Sequence, residues 1–231
     1  MKHGLIALAM AALCIGTAPA QTESSSVPHT LDGKPSLSGV WEVPYAPDMS
    51  RGIGALPFSA WGEEQWKAYD PAKFDYTGHC LPMGWTRLMN APMPLEIMQE
   101  PNRIAILFEA YNTFKVIPTD GRGHPKNLDA TWLGNSVGHW DGDTLVVDTV
   151  GFNEKTRIDT IGHPHSDRLH IVERLTRTDP THLAYEVTID DPKTYTQPFT
   201  NKRTFKLRPD WELMEYSCEE NNKDANEGHI K

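Results

Sequence analysis

The chain has little cysteine, no run of basic residues and, after its first twenty positions, no long apolar stretch. Three cysteines occur among 231 residues and none forms a C-x-x-C pair, which argues against a thioredoxin-like redox protein. No G-x-S-x-G elbow, P-loop or dinucleotide fingerprint is present. Their absence disfavours α/β serine hydrolases, NTPases and nicotinamide-dependent enzymes. The formal charge is −9, from 22 Lys and Arg against 31 Asp and Glu. With no Lys/Arg patch, that balance argues against nucleic acid and anionic membrane surfaces as partners. No later segment is apolar enough for a membrane helix, so no membrane insertion is expected. The chain also shows no internal repeat and no interdomain linker.

The first twenty residues do have an apolar run. Lys2 and His3 precede Leu5–Ile15, and Ala18-Pro19-Ala20 follows as an A-x-A cleavage site. This is the pattern of a cleaved secretory signal, predicting a periplasmic or secreted protein. Leu13 stands before Cys14 where a lipobox needs a small residue. Residues 21–36 are polar, with Ser24-Ser25-Ser26 and two prolines, and read as a flexible lead-in. A single domain is expected over 37–231. In an oxidising compartment, Cys80 and Cys218 are expected to pair.

Strand signals dominate the domain. Residues 37–43 alternate, and further candidates are 95–99, 103–109, 113–117, 136–140, 144–150, 169–177, 182–189, 199–207 and 213–218. Turn residues separate them, with Asp141-Gly142 the strongest hairpin signal. One short helix is predicted over 60–69, capped by Ser59 and ended by Asp70-Pro71. Residues 71–94 show little periodicity. Strands in meander order, without helices between them, predict an all-β antiparallel barrel, since closure removes exposed sheet edges. Gly39-Val40-Trp41 resembles the G-x-W signature of lipocalins, which implies a lipocalin-like barrel with Trp41 at its floor.

Titratable chemistry concentrates in Gly162-His163-Pro164-His165-Ser166-Asp167-Arg168-Leu169-His170-Ile171-Val172-Glu173-Arg174. An unperturbed histidine titrates near neutrality, so it suits proton transfer. His163 or His165 is the expected base, with Asp167 to orient it and Arg122 or Arg174 to steady developing negative charge. His170 completes the catalytic candidates. Strand alternation, however, turns His170 and Glu173 to opposite faces. The spacing His-x-His-x4-His-x2-Glu is similar to the first metal motif of cupins. It departs from that motif at His170, where a cupin has a carboxylate, and no second motif follows. No cofactor is expected; a divalent metal, if bound, would fall to His163, His165 and His170. His124 and His139 are further candidates for contact with a ligand. Trp41, Trp85, Trp132, Trp140 and Tyr185 are candidate packing surfaces for an apolar one.

Several strings occur together: Thr119-Asp120-Gly121-Arg122 with His124-Pro125, Ser136-Val137-Gly138, Asp141-Gly142-Asp143-Thr144-Leu145-Val146-Val147-Asp148-Thr149, Gly162-His163-Pro164-His165-Ser166, and Leu169-His170 with Glu173-Arg174. In this combination the chain resembles, from about Leu37 to its end, a large family of secreted bacterial proteins common in soil and freshwater lineages. The resemblance implies a β-rich, lipocalin-like periplasmic protein and brings no established activity. It also implies Arg at the position of His139 in relatives, which shifts weight to His163, His165 and His170. The expectation is therefore an acid–base enzyme of the lyase, isomerase, hydratase or hydrolase type, acting on a small apolar or aromatic molecule. The alternative is a lipocalin-like carrier of a hydrophobic ligand, with no catalysis.

Overall fold

A computed structural model describes residues 26–220, 222 and 223. The signal expected at 1–20 and the start of the lead-in lie outside them. Nine antiparallel strands form one sheet: β1 Gly39–Glu42, β2 Leu95–Glu100, β3 Arg103–Phe108, β4 Thr113–Pro118, β5 Asn135–Asp141, β6 Thr144–Val150, β7 His170–Asp179, β8 His182–Asp190 and β9 Phe199–Leu207. Their order is β4-β3-β2-β1-β9-β8-β7-β6-β5, so the long crossover after β1 lets the first strand join β2 to β9. The sheet curls into a nearly closed barrel, as the strand pattern predicted. Side chains bridge the two edges. Lys115 Nζ on β4 donates to the Leu133 carbonyl before β5 at 2.6 Å, and a side chain at Gly138 would meet Ile117 and Thr119 across the seam.

Alternation places the core. On β8, Leu183, Tyr185, Val187 and Ile189 are all buried, while Ala184, Glu186 and Thr188 between them are not. On β7, Ile171, Glu173 and Leu175 point inward, and His170, Val172 and Arg174 outward. The Asp141-Gly142 hairpin forms as predicted, pairing Asp141 with Thr144. Trp41, Trp85, Tyr185 and Phe205 are fully buried and fill the barrel together with Leu95, Ile97 and Ile106. Each such aliphatic or Phe side chain contributes about 1.5–3 kcal/mol by leaving water.

The predicted helix is α1, Ala60–Ala68. Ser59 Oγ accepts the Gly62 amide at 3.0 Å and donates to the Lys193 carbonyl at 2.6 Å. The cap therefore also ties α1 to the turn between β8 and β9. Two one-turn helices, α2 Pro71–Phe74 and α3 Trp85–Leu88, form where periodicity was weak. They are additions to the single helix expected. α3 is buried throughout and sends Trp85 into the barrel. Residues 213–218 do not join the sheet. Met214 N and Tyr216 N are bonded instead to the side chains of Glu109 and Asn112. Cys80 and Cys218 form a disulfide with a Cα–Cα distance of 5.6 Å. No helix among the described residues is long and apolar enough to cross a membrane.

Candidate functional site

The chain between β6 and β7 covers one end of the barrel, and two buried carboxylates shape it. Asp159 is fully buried. Its Oδ1 accepts the amides of Gly162 and His163, each at 3.0 Å. Its Oδ2 accepts the Met49 amide at 2.8 Å and lies 2.5 Å from His163 Nδ1. Short polar side chains commonly organise turns in this way. Asp191, the second carboxylate, binds the Ser166 amide and hydroxyl at 2.5 and 2.8 Å and the Thr194 hydroxyl at 2.8 Å. The loop carrying the histidines is thus pinned at both ends.

An ionised carboxylate only accepts hydrogen bonds, so the proton of a neutral His163 sits on Nδ1 and the lone pair on Nε2. Among the described residues, Nε2 has no hydrogen-bond partner. The completely buried side-chain nitrogens without a partner are the Nε atoms of Arg87, Arg177 and Arg203. His163 Nε2 is not one of them, so this nearly buried ring keeps a solvent contact there. Trp66 on α1 packs on the imidazole with centroids 4.4 Å apart, and Phe58 lies 5.8 Å away. Phe58 in turn stacks on Tyr195 at 5.4 Å. Asp48 stands beside the pair. Burial pushes its carboxyl up, but the Ser50 hydroxyl and amide outweigh this and hold it below the usual range. Only its Oδ1 is hydrogen-bonded among the described residues.

Asp48, Asp159 and His163 each offer one potential ligand atom, all within 4.8 Å of one another. Asp159, however, already accepts from three amides and the imidazole. Its oxygens are thus already filled, so the donor set suits a proton better than a metal.

His165 is built differently. Its Nδ1 donates to the Ser166 carbonyl at 3.0 Å, and its Nε2 accepts the Thr156 hydroxyl at 2.6 Å. Both ring nitrogens are occupied, and burial lowers its pKa. It is a neutral rivet of the loop. His170 stands on the outer wall, bonded to Asp148 at 2.8 Å, and His124 binds the other oxygen of Asp148 at 2.9 Å. The three histidines offered as a metal set thus belong to three separate hydrogen-bonded groups.

The remaining expected residues are dispersed. Asp167 is exposed, and its closest ionic partner is Lys193 at 4.0 Å. The carboxylate bonded to the His163 ring is Asp159. Arg122 is exposed and paired with Asp120, and Arg174 binds Asp141 at 2.9 Å on the outer wall. Trp41, Trp85 and Tyr185 are core residues with satisfied polar atoms. Trp41 donates to the Leu37 carbonyl at 2.9 Å, while Trp85 and Tyr185 both donate to Glu173 at 2.7 Å. Trp132 lies under Lys155. Trp140 is partly buried, and His139 is exposed.

Sequence reasoning missed Asp159, Asp48, Trp66 and Phe58. A local signal existed for one of them: Asp159 precedes His163 by four residues and Gly162 supplies the turn. Gly162 has φ +98°, and a Cβ there would lie 2.2 Å from the Tyr69 ring. Asp48 lies more than a hundred residues away and left no such trace. Compared with known protein families, curated proteins and solved structures, the chain matches none.

Proposed function

We propose that the protein is a secreted or periplasmic enzyme that moves protons on a small apolar or aromatic molecule, with His163 as its base. The observation that carries this reading is the Asp159–His163 pair, whose outer nitrogen has no hydrogen-bond partner among the described residues and is bordered by aromatic rings. A carboxylate on Nδ1 fixes the tautomer and stabilises the imidazolium formed when Nε2 takes a proton. The free oxygen of Asp48 adds negative charge close by. The proton taken from the substrate returns at another atom in an isomerisation, or leaves with the departing group in an elimination. Trp66 and Phe58 border the ring, and the apolar body of the substrate packs against them.

The reading needs no organic cofactor. The disulfide fits an oxidising compartment, and the resemblance to secreted bacterial proteins points the same way. The carrier alternative needs a hollow barrel, whereas Trp41, Trp85, Tyr185 and Phe205 fill this one. A substrate site at the barrel end avoids that conflict.

The test follows proton transfer directly. Small aromatic carbonyl compounds are incubated with the protein in heavy water, and deuterium incorporation is read by NMR. The expected result is incorporation that falls about 10²–10⁴-fold in His163→Gln. Incorporation that is absent from the whole panel, or unchanged in the variant, contradicts the reading.

A further inference from the structure

Beside α1 lies a cavity of about 300 Å³ bounded by Ala68, Tyr69, Phe74, Tyr76, Lys155 and Arg157. That volume is at the lower end of small-molecule sites. Its chemistry is unusual for a chain of net charge −9. The Arg157 guanidinium is half-buried and makes no hydrogen bond or ion pair among the described residues; its partner is the Tyr69 ring, 4.4 Å from its central carbon. Lys155 likewise has no carboxylate and lies over Trp132. The acid at the rim, Glu154, is engaged by Lys193 at 2.8 Å. The cavity therefore presents two cations and three aromatic walls, with its one carboxylate already paired.

The backbone that carries the guanidinium is also fixed. The Arg157 amide donates to Tyr76 Oη at 3.1 Å, and Tyr76 donates to the Met83 carbonyl at 2.7 Å. The Tyr69 ring is seated on Gly162, next to His163. Arg157 lies two residues before Asp159. A planar fork of unbonded donors resting on the Tyr69 ring suits a carboxylate, which it can bind through two parallel hydrogen bonds.

We propose that this cavity binds the carboxylate of a small aromatic acid through Arg157. As a substrate subsite, this rests on the acid–base reading of His163 and narrows the substrate class to aromatic carboxylates. As a binding site it stands on its own geometry.

Benzoate, its neutral isostere benzamide and inorganic sulfate are titrated calorimetrically into the purified protein. Benzoate is expected to bind, with benzamide and sulfate each about tenfold weaker or more. Arg157→Met is expected to weaken benzoate by a similar factor. Ala68→Phe, which keeps the guanidinium but narrows the cavity, is expected to do the same. Circular dichroism checks that each variant folds; should Arg157→Met fail to fold, Ala68→Phe and the benzamide comparison decide. Absent benzoate binding, equal binding of benzamide or sulfate, or affinity undiminished in the folded variants overturns the proposal. Benzoate bound through Arg157 without deuterium exchange on any substrate leaves the cavity assignment intact and removes the acid–base reading. Exchange without benzoate binding does the reverse.

Discussion

His163 Nδ1 faces Asp159 Oδ2 at 2.5 Å, and the same carboxylate holds the His163 backbone amide at 3.0 Å. One side chain therefore fixes both the position of the residue and the state of its ring. Asp159→Asn keeps the shape but replaces an acceptor with an amide that can also donate. The expected outcome is loss of most of the proposed proton-transfer activity, about 10²–10⁴-fold, as for removal of an orienting carboxylate elsewhere. Activity of Asp159→Asn and His163→Gln should fall together, and the double variant should be no worse than either. Additive losses in a double-mutant cycle would contradict a shared role.

Glu173 is the polar centre of the barrel. It accepts from Trp85 and Tyr185, while Lys115 Nζ lies 3.8 Å from the centre of the Trp85 ring. Glu173→Leu would orphan two donors and leave the buried Lys115 amine without the carboxylate that favours its charged form. The expected cost is about 3–5 kcal/mol, read by urea denaturation. Glu173→Gln, which still offers an oxygen, should cost less.

The same pair predicts a pH dependence. Burial holds Lys115 well below the ordinary lysine value of 10.5. Between its lowered value and 10.5 the unfolded chain binds a proton that the folded chain does not, so this group makes stability rise with pH through that window. Burial of Glu173 raises its pKa above 4.5, and its effect is the opposite, a loss of stability as pH rises through its own window. His165, lowered from 6.5 by burial, makes the protein lose stability as pH falls below 6.5. Lys115→Met should abolish the alkaline part alone. The check is the urea midpoint at neutral pH and at about pH 10: wild type should gain relative to Lys115→Met, and parallel changes would refute the assignment.

The disulfide ties the turn after Tyr76–His79 to the segment following β9 across 138 residues. A loop of that length corresponds to about 5 kcal/mol in the chain-entropy account. Replacing Cys80 and Cys218 together by serine should lower stability by about 2–5 kcal/mol and leave the barrel folded. Calorimetric melting, compared with the wild type under reducing conditions, measures it.

Gly162→Ala should couple the two sites. The residue has φ +98°, and a methyl group would enter the Tyr69 ring. The backbone strain alone costs about 1–3 kcal/mol. Displacing Tyr69 should also weaken benzoate binding beside Arg157, which calorimetry reads.

The sheet was largely legible because turn residues separate its strands and the longest of them, β7 and β8, alternate in period two. Leu183, Tyr185, Val187 and Ile189 show it most plainly, and all four are buried. Residues 213–218 misled because their apolar positions alternate without backbone partners; side chains of Glu109 and Asn112 take those amides instead. α3 was hidden because its four residues are too few for periodicity and are buried on every side. The density of titratable groups singled out the loop before β7. It could not separate His163 from His165 and His170, because each ring's role is set by its partner. Those partners, Asp159, Thr156 and Asp148, are brought in by the loop's folding and by sheet pairing. Alternation did correctly turn His170 away from Glu173.

The most direct test of the central claim is the tautomer of His163, read from nitrogen-15 ring shifts and couplings by NMR near pH 8, with Asp159→Asn as comparison. The account predicts a protonated Nδ1 and a bare lone pair on Nε2 in the wild type, with that preference lost in the variant. A wild-type ring protonated on Nε2, with its lone pair turned toward Asp159, would contradict it.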